Sequence, residues 1–213
     1  MAKTLPVTVG GFGLAGLLGI PDAARGLVIF AHGSGSGRLS PRNNHVAALL
    51  RDGGLATLLI DLLTPVEERD RANVFDIALL AERLASAAAW AITQPRLAAL
   101  PIGYFGASTG GGAALLAASR GDPRIRAVVS RGGRPDLAGA AALEQVTAPT
   151  LLLVGGRDLP VIDLNREAMR HMRCEVSLVI IPGATHLFEE PGTLDQVVVH
   201  ALDWFVDHLG EQQ

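Results

Sequence analysis

Apolar residues fall along this chain in short runs of strand length, separated by longer stretches whose apolar positions recur at helical spacing. A strand covered on both faces reads as a nearly continuous apolar run, and six segments have that character: 27–31 (LVIFA), 55–62 (LATLLIDL), 102–106, 125–130, 149–154 and 176–181. Helices are predicted over 41–52, 73–93, 109–120, 163–173 and 194–209, with a shorter one at 137–145. Ahead of them, 6–9 and 14–20 flank Gly10, Gly11 and Gly13 and read as an opening hairpin. Strands alternating with helices predict an α/β domain spanning 1–213, its mostly parallel sheet flanked by helices on both faces. The longest candidate insertion is the charged loop 64–72, too short for a large cap domain.

Composition narrows the partners. The 213 residues carry 18 basic and 21 acidic side chains, a net charge of −3, without a run of like charge that would suit nucleic acid or an anionic membrane. Cys174 is the lone cysteine, which excludes an intrachain disulfide or a multi-cysteine zinc site, and it is read as a small buried hydrophobe. The N-terminal stretch lacks an A-x-A cleavage site after its apolar part, and no 18-residue apolar run occurs. The expectation is a cytoplasmic protein with no membrane partner; its oligomeric state is not legible.

In a parallel sheet, ligands bind beyond the carboxyl ends of the strands, so chemically useful residues just after strands carry weight. Gly106-Ala107-Ser108-Thr109-Gly110 matches G-x-S-x-G between a strand and a helix, the setting a nucleophile elbow requires. Asp158 follows the strand 149–154, and His186 follows 176–181. Either alone would read as a cap or turn residue. The order Ser, Asp, His at three strand ends instead points to a triad: Ser108 as nucleophile, His186 as general base, Asp158 orienting the imidazole. The loop His32-Gly33-Ser34-Gly35-Ser36-Gly37 follows the strand 27–31 and stands where an oxyanion donor is needed. Ser34 and Thr109 are the expected backbone N–H donors. His32 is read mainly as a loop brace, with Gly33 beside it near the substrate. Arg38, Arg42, Arg131 and Arg134 stand near the pocket mouth, with Arg131 the candidate for recognising an acidic substrate group. Glu189 and Glu190 are expected to be solvated, with a role near the pocket rim as the alternative. His45, His171, His200 and His208 fall within predicted helices and read as surface or capping residues.

HGSGSG, GASTG, GGRD and GATH, in this order, resemble the dienelactone hydrolase family of α/β hydrolases, over residues 6–209. The resemblance implies the α/β-hydrolase fold and hydrolysis of small carboxylic esters, lactones or thioesters through an acyl-enzyme, with no cofactor. Dienelactone hydrolases proper carry Cys in the elbow where this chain has Ser108, which argues against a dienelactone substrate. Some relatives of this type are fused to a phosphoribosyltransferase domain; here one domain is expected. Two other readings compete. An NAD-linked oxidoreductase would need glycine at position 38 to complete G-x-G-x-x-G, and Arg38 stands there; no Gly-Lys-Ser/Thr completes a P-loop either. A non-catalytic ligand- or partner-binding member of the fold would be told apart by its failure to label at Ser108 with a fluorophosphonate.

Overall fold

The computed structural model describes residues 3–210. Its eight strands form one sheet in the order β1-β2-β4-β3-β5-β6-β7-β8. Strands β1 (Thr4–Val9) and β2 (Leu14–Gly19) make the antiparallel hairpin, and β2 pairs antiparallel with β4 (Ala56–Ile60). All remaining pairings are parallel, through β3 (Leu27–Ala31), β5 (Ile102–Ala107), β6 (Ile125–Arg131), β7 (Thr150–Gly155) and β8 (Val176–Ile181).

The period-two alternation of strand side chains divides the core into two layers. Leu27, Ile29 and Ala31 of β3 pack with helices α3 (Ile77–Ala91) and α4 (Thr109–Ala118), whereas Val28 and Phe30 pack with α1 (Pro41–Asp52) and α7 (Thr193–Leu209). Every residue of β3, β4, β5 and β7 is buried, which is why these strands appear in the sequence as unbroken apolar runs.

Three predicted helices are corrected. The stretch 73–93 is two helices, α2 (Arg71–Phe75) and α3, because Asp76 adopts an extended backbone (φ −77°, ψ 91°) and accepts the Leu79 N–H at 3.0 Å. Such a cap contributes about 1 kcal/mol, enough to win locally over the Ala/Leu-rich pattern. Helix α6 runs over Leu159–Met169 and so begins four residues before the expected start; Pro160 lies in its first turn, where a missing N–H costs nothing. The short helix after β6 divides into a 3-10 turn at Pro135–Ala138 and α5 (Ala140–Gln145), separated by Gly139 at φ 81°.

Among the described residues, no helix is long and apolar enough to cross a membrane.

Candidate active site

Ser108 stands between the end of β5 and the start of α4 with φ 51° and ψ −122°, a conformation that costs a non-glycine residue about 1–3 kcal/mol. Its surroundings fix the turn. The Ser108 N–H donates to the Arg131 carbonyl at 3.3 Å, and its own carbonyl accepts from the Gly111 and Arg134 N–H groups at 2.9 and 3.1 Å. The two motif glycines are steric necessities: a Cβ on Gly106 would lie 2.5 Å from the Gly110 carbonyl oxygen, and one on Gly110 would lie 2.1 Å from that of Ala31. Among the described residues the Ser108 hydroxyl makes no hydrogen bond, and none joins it to His186, whose ring bonds Asp158 instead.

Asp158 occupies the N-cap of α6 but does not cap it. Its carboxylate instead meets His186 Nδ1 at 2.6 Å, 28 residues along the chain. With Nδ1 held by the carboxylate, the imidazole presents Nε2 as the nitrogen available for proton transfer. The His186 side chain is 38% exposed and that of Asp158 13%, as suits a base open to substrate and an orienting acid shielded behind it. Ser108 and His186 line one cleft of about 710 Å³, together with Gly33–Gly37, Arg42 and Arg131. The three candidate triad residues are thus gathered at the carboxyl ends of β5, β7 and β8.

The loop after β3 departs from expectation at Ser34. Its N–H donates to Thr109 Oγ1 at 3.0 Å and does not face the cleft as a free oxyanion donor. The Gly33 N–H, by contrast, has no acceptor among the described residues, and Gly33 packs so closely on the nucleophile that a Cβ there would lie 3.0 Å from Ser108 Cβ. Thr109 opens α4, so its N–H has no intrahelical acceptor. With the Ser34 N–H engaged, the candidate donors are Gly33 and Thr109 in place of Ser34 and Thr109. His32 is a brace: Nε2 accepts the Leu62 N–H at 3.0 Å, so Nδ1 carries the proton and donates to the Gly33 carbonyl at 2.9 Å. With both ring nitrogens engaged, it has none to offer a substrate.

The four arginines separate on their partners. Arg38 pairs with Asp61, Arg42 with Glu189 at 2.9 Å, and Arg134 with Asp136 at 2.7 Å. Arg131 has no carboxylate partner among the described residues. It is 7% exposed, donates to Asn43 Oδ1 at 3.3 Å, lies 5.7 Å from the centroid of the Phe188 ring, and leaves Nε unbonded. Burial, reinforced by the Arg42 charge, pulls its pKa down to about 10, so it remains a cation at neutral pH. In the sheet Arg131 pairs with Ala107, which places it on the strand beside the nucleophile.

The sequence reading missed the brace on the His186 loop. Glu190 accepts the Thr185 N–H at 3.0 Å, which holds its carboxyl below the ordinary glutamate range, and Phe188 is buried with φ 55°. Glu189 is exposed, as expected, and pairs with Arg42 at the cleft, whereas Glu190 is half-buried and engaged. Their place within four residues of His186 was the only signal available in the sequence.

The sequence model of the dienelactone hydrolase family matches residues 14–202. Proteins from two strains of Mycobacterium tuberculosis, whose name proposes a phosphoribosyl transferase, are 61% identical over 209 residues; these cover 97% of this chain but 46% of theirs. The chain thus spans about half the length of these relatives. The crystal structure of a dienelactone hydrolase from Anabaena variabilis is 54% identical, covers 98% of both chains and superposes with a TM-score of 0.92. Est1E from Butyrivibrio proteoclasticus shares the fold at 16% identity, with a TM-score of 0.80 over 98% of this chain and 99% of its own.

Proposed function

Starting from a chain that belongs to the dienelactone hydrolase family, we propose that it hydrolyses a small carboxylic ester, lactone or thioester carrying an anionic group, through an acyl-enzyme on Ser108. One observation carries the reading: Asp158, at a helix N-cap, bonds His186 and not the helix N–H groups, and His186 lines the cleft that also holds Ser108 in its strained turn. His186 Nε2 takes the hydroxyl proton as Oγ attacks the carbonyl carbon, and the Gly33 and Thr109 N–H groups bind the oxyanion. The imidazolium returns that proton to the departing alcohol or thiol. Water, deprotonated by the same imidazole, then cleaves the acyl–serine bond, releasing the acid and restoring the Ser108 hydroxyl.

The unpaired Arg131 supports an anionic substrate. A buried guanidinium without a counterion is costly, and a carboxylate or phosphate on the substrate would supply one. No cofactor takes part in this scheme, and no nucleic acid or membrane partner is required. We place the reaction in the cytoplasm.

The transferase in the name of the mycobacterial relatives belongs, on this reading, to the part of them that this chain does not match.

A fluorophosphonate should label the wild-type protein at Ser108 and leave Ser108→Ala untouched, and a panel of nitrophenyl esters, lactones and thioesters should show turnover that the variant lacks. Undiminished turnover in Ser108→Ala would sink the reading. Arg131→Met should lower kcat/KM for a carboxylate-bearing ester about 10- to 100-fold more than for its neutral counterpart, the range of a lost charge-assisted hydrogen bond. An equal fall for both esters removes Arg131 from substrate recognition.

A further inference from the structure

Thr109 meets the proposed oxyanion hole twice. Its backbone N–H is one donor, and its side-chain oxygen accepts the N–H of Ser34, the residue that follows the other donor, Gly33. The two are 75 residues apart in the chain and belong to different strand–helix connections. We infer that the Thr109 hydroxyl is a positioning residue: it latches the loop after β3 onto the first turn of α4 and so sets the spacing between the Gly33 and Thr109 N–H groups. This rests on the hydrolase reading above.

The loop needs such a latch because none of its other side-chain anchors comes from α4: Asn44 of α1 donates to the Arg38 carbonyl at 2.8 Å, and the rest lie after β4. His32 ties its start to Leu62, and the Asp61 carboxylate accepts the Arg38 N–H at 2.7 Å; both of these anchors come from the segment that follows β4. Gly33, Gly35 and Gly37 lie between them, and glycine lends the backbone freedom that no side chain opposes. On the nucleophile's side, the Thr109–Ser34 bond is the hydrogen bond recorded between this loop and α4 among the described residues. Thr109 is 7% exposed, so water competes poorly for its oxygen. An oxyanion donor works only if it is aimed before the charge forms, so a loop that drifts outward loses catalysis without losing the ground-state substrate.

The test compares Thr109→Val, which keeps the shape and removes the acceptor, with Thr109→Ser, which keeps the acceptor. Both retain the backbone N–H. Thr109→Val should lower kcat about 10- to 100-fold, less than the full loss of a donor, with KM within about threefold of wild type. Thr109→Ser should stay within about threefold of wild type. The rate of fluorophosphonate labelling and the affinity for a boronic acid that forms a tetrahedral adduct on Ser108 should fall with kcat in the Val variant. The pH at which kcat/KM rises should not move, because the Asp158–His186 pair is untouched.

A Val variant with wild-type kcat overturns the inference. So does a Ser variant as slow as the Val one, or an effect carried wholly by KM. Should Thr109→Val fail to fold, Thr109→Ala supplies the same comparison with less bulk at the site. A wild-type protein that neither labels nor turns over any ester overturns the hydrolase reading, and this inference with it; labelled wild type with an unchanged Val variant overturns the inference alone.

Discussion

Replacing Ser108 by glycine should stabilise the protein while abolishing its chemistry. The nucleophile is held at φ 51° and ψ −122°, a strain of about 1–3 kcal/mol for a residue with a Cβ. Glycine accepts that conformation freely but adds unfolded-state entropy worth about 0.5–1 kcal/mol relative to alanine. Ser108→Ala is the proper control, since it removes the hydroxyl and keeps the Cβ, and therefore the strain. The glycine variant should exceed the alanine variant by about 1 kcal/mol, which in a chain of this size raises Tm by about 2–4 °C. Urea unfolding of the two variants, compared at equal m-values, gives the difference directly, and thermal melts give the corresponding shift. A glycine variant no more stable than the alanine variant would show that the elbow stores no usable strain, and the argument from Ser108's backbone would fall.

Three further outcomes test the site. Gly110→Ala puts a Cβ 2.1 Å from the Ala31 carbonyl oxygen and 2.6 Å from that of His32, so backbone must move; denaturant titration should show a loss of about 1–3 kcal/mol or more, with labelling at Ser108 slowed. Asp158→Asn should keep the fold but lower kcat about 10³- to 10⁴-fold by presenting the wrong imidazole tautomer, and kinetics within tenfold of wild type would remove Asp158 from the triad. Glu190 has its pKa depressed mainly by the Thr185 N–H, so its contribution is complete above the ordinary glutamate range and disappears as the pH falls through the lowered folded value. Glu190→Gln should accordingly flatten the acid limb of a stability–pH curve; an unaltered limb would assign that loss to other carboxylates.

The fold was legible because its strands are buried on both faces. β3 and β8 lie at the predicted bounds, and the elbow sequence follows an apolar run that marks it as a strand end. Legibility failed where one polar side chain outweighs a periodic pattern. Asp76 breaks what reads as a continuous helix, since its carboxylate competes for a backbone N–H and hydrophobic spacing carries no trace of that. Ser34 failed for a related reason: which of two adjacent N–H groups faces the cleft depends on Thr109 Oγ1, a partner from the other side of the sequence. The arginines show the same limit. Arg131 was the candidate among four along the chain, but the physical ground for it, the carboxylates brought near the other three in space, lies outside the sequence pattern.

Two features of this protein are expensive, and they adjoin. The strained Ser108 donates its N–H to the carbonyl of the unpaired, buried Arg131, and β5 and β6 carry the residues into the same cleft. A packed core has inexpensive answers to both: glycine would relieve the turn, and methionine or leucine would fill the arginine's volume without an uncompensated charge. Neither answer is used, although Gly132 and Gly133 nearby show that small residues are admitted wherever the chain turns. Local stability therefore does not explain this pair of residues. The proposed hydrolysis would offset both, since its substrate brings an electrophilic carbon to Ser108 and negative charge to Arg131. A cleft shaped solely for binding would account for the arginine but not for the strained serine. That is why the two together favour a reaction over a docking site, and an acidic substrate over a neutral one.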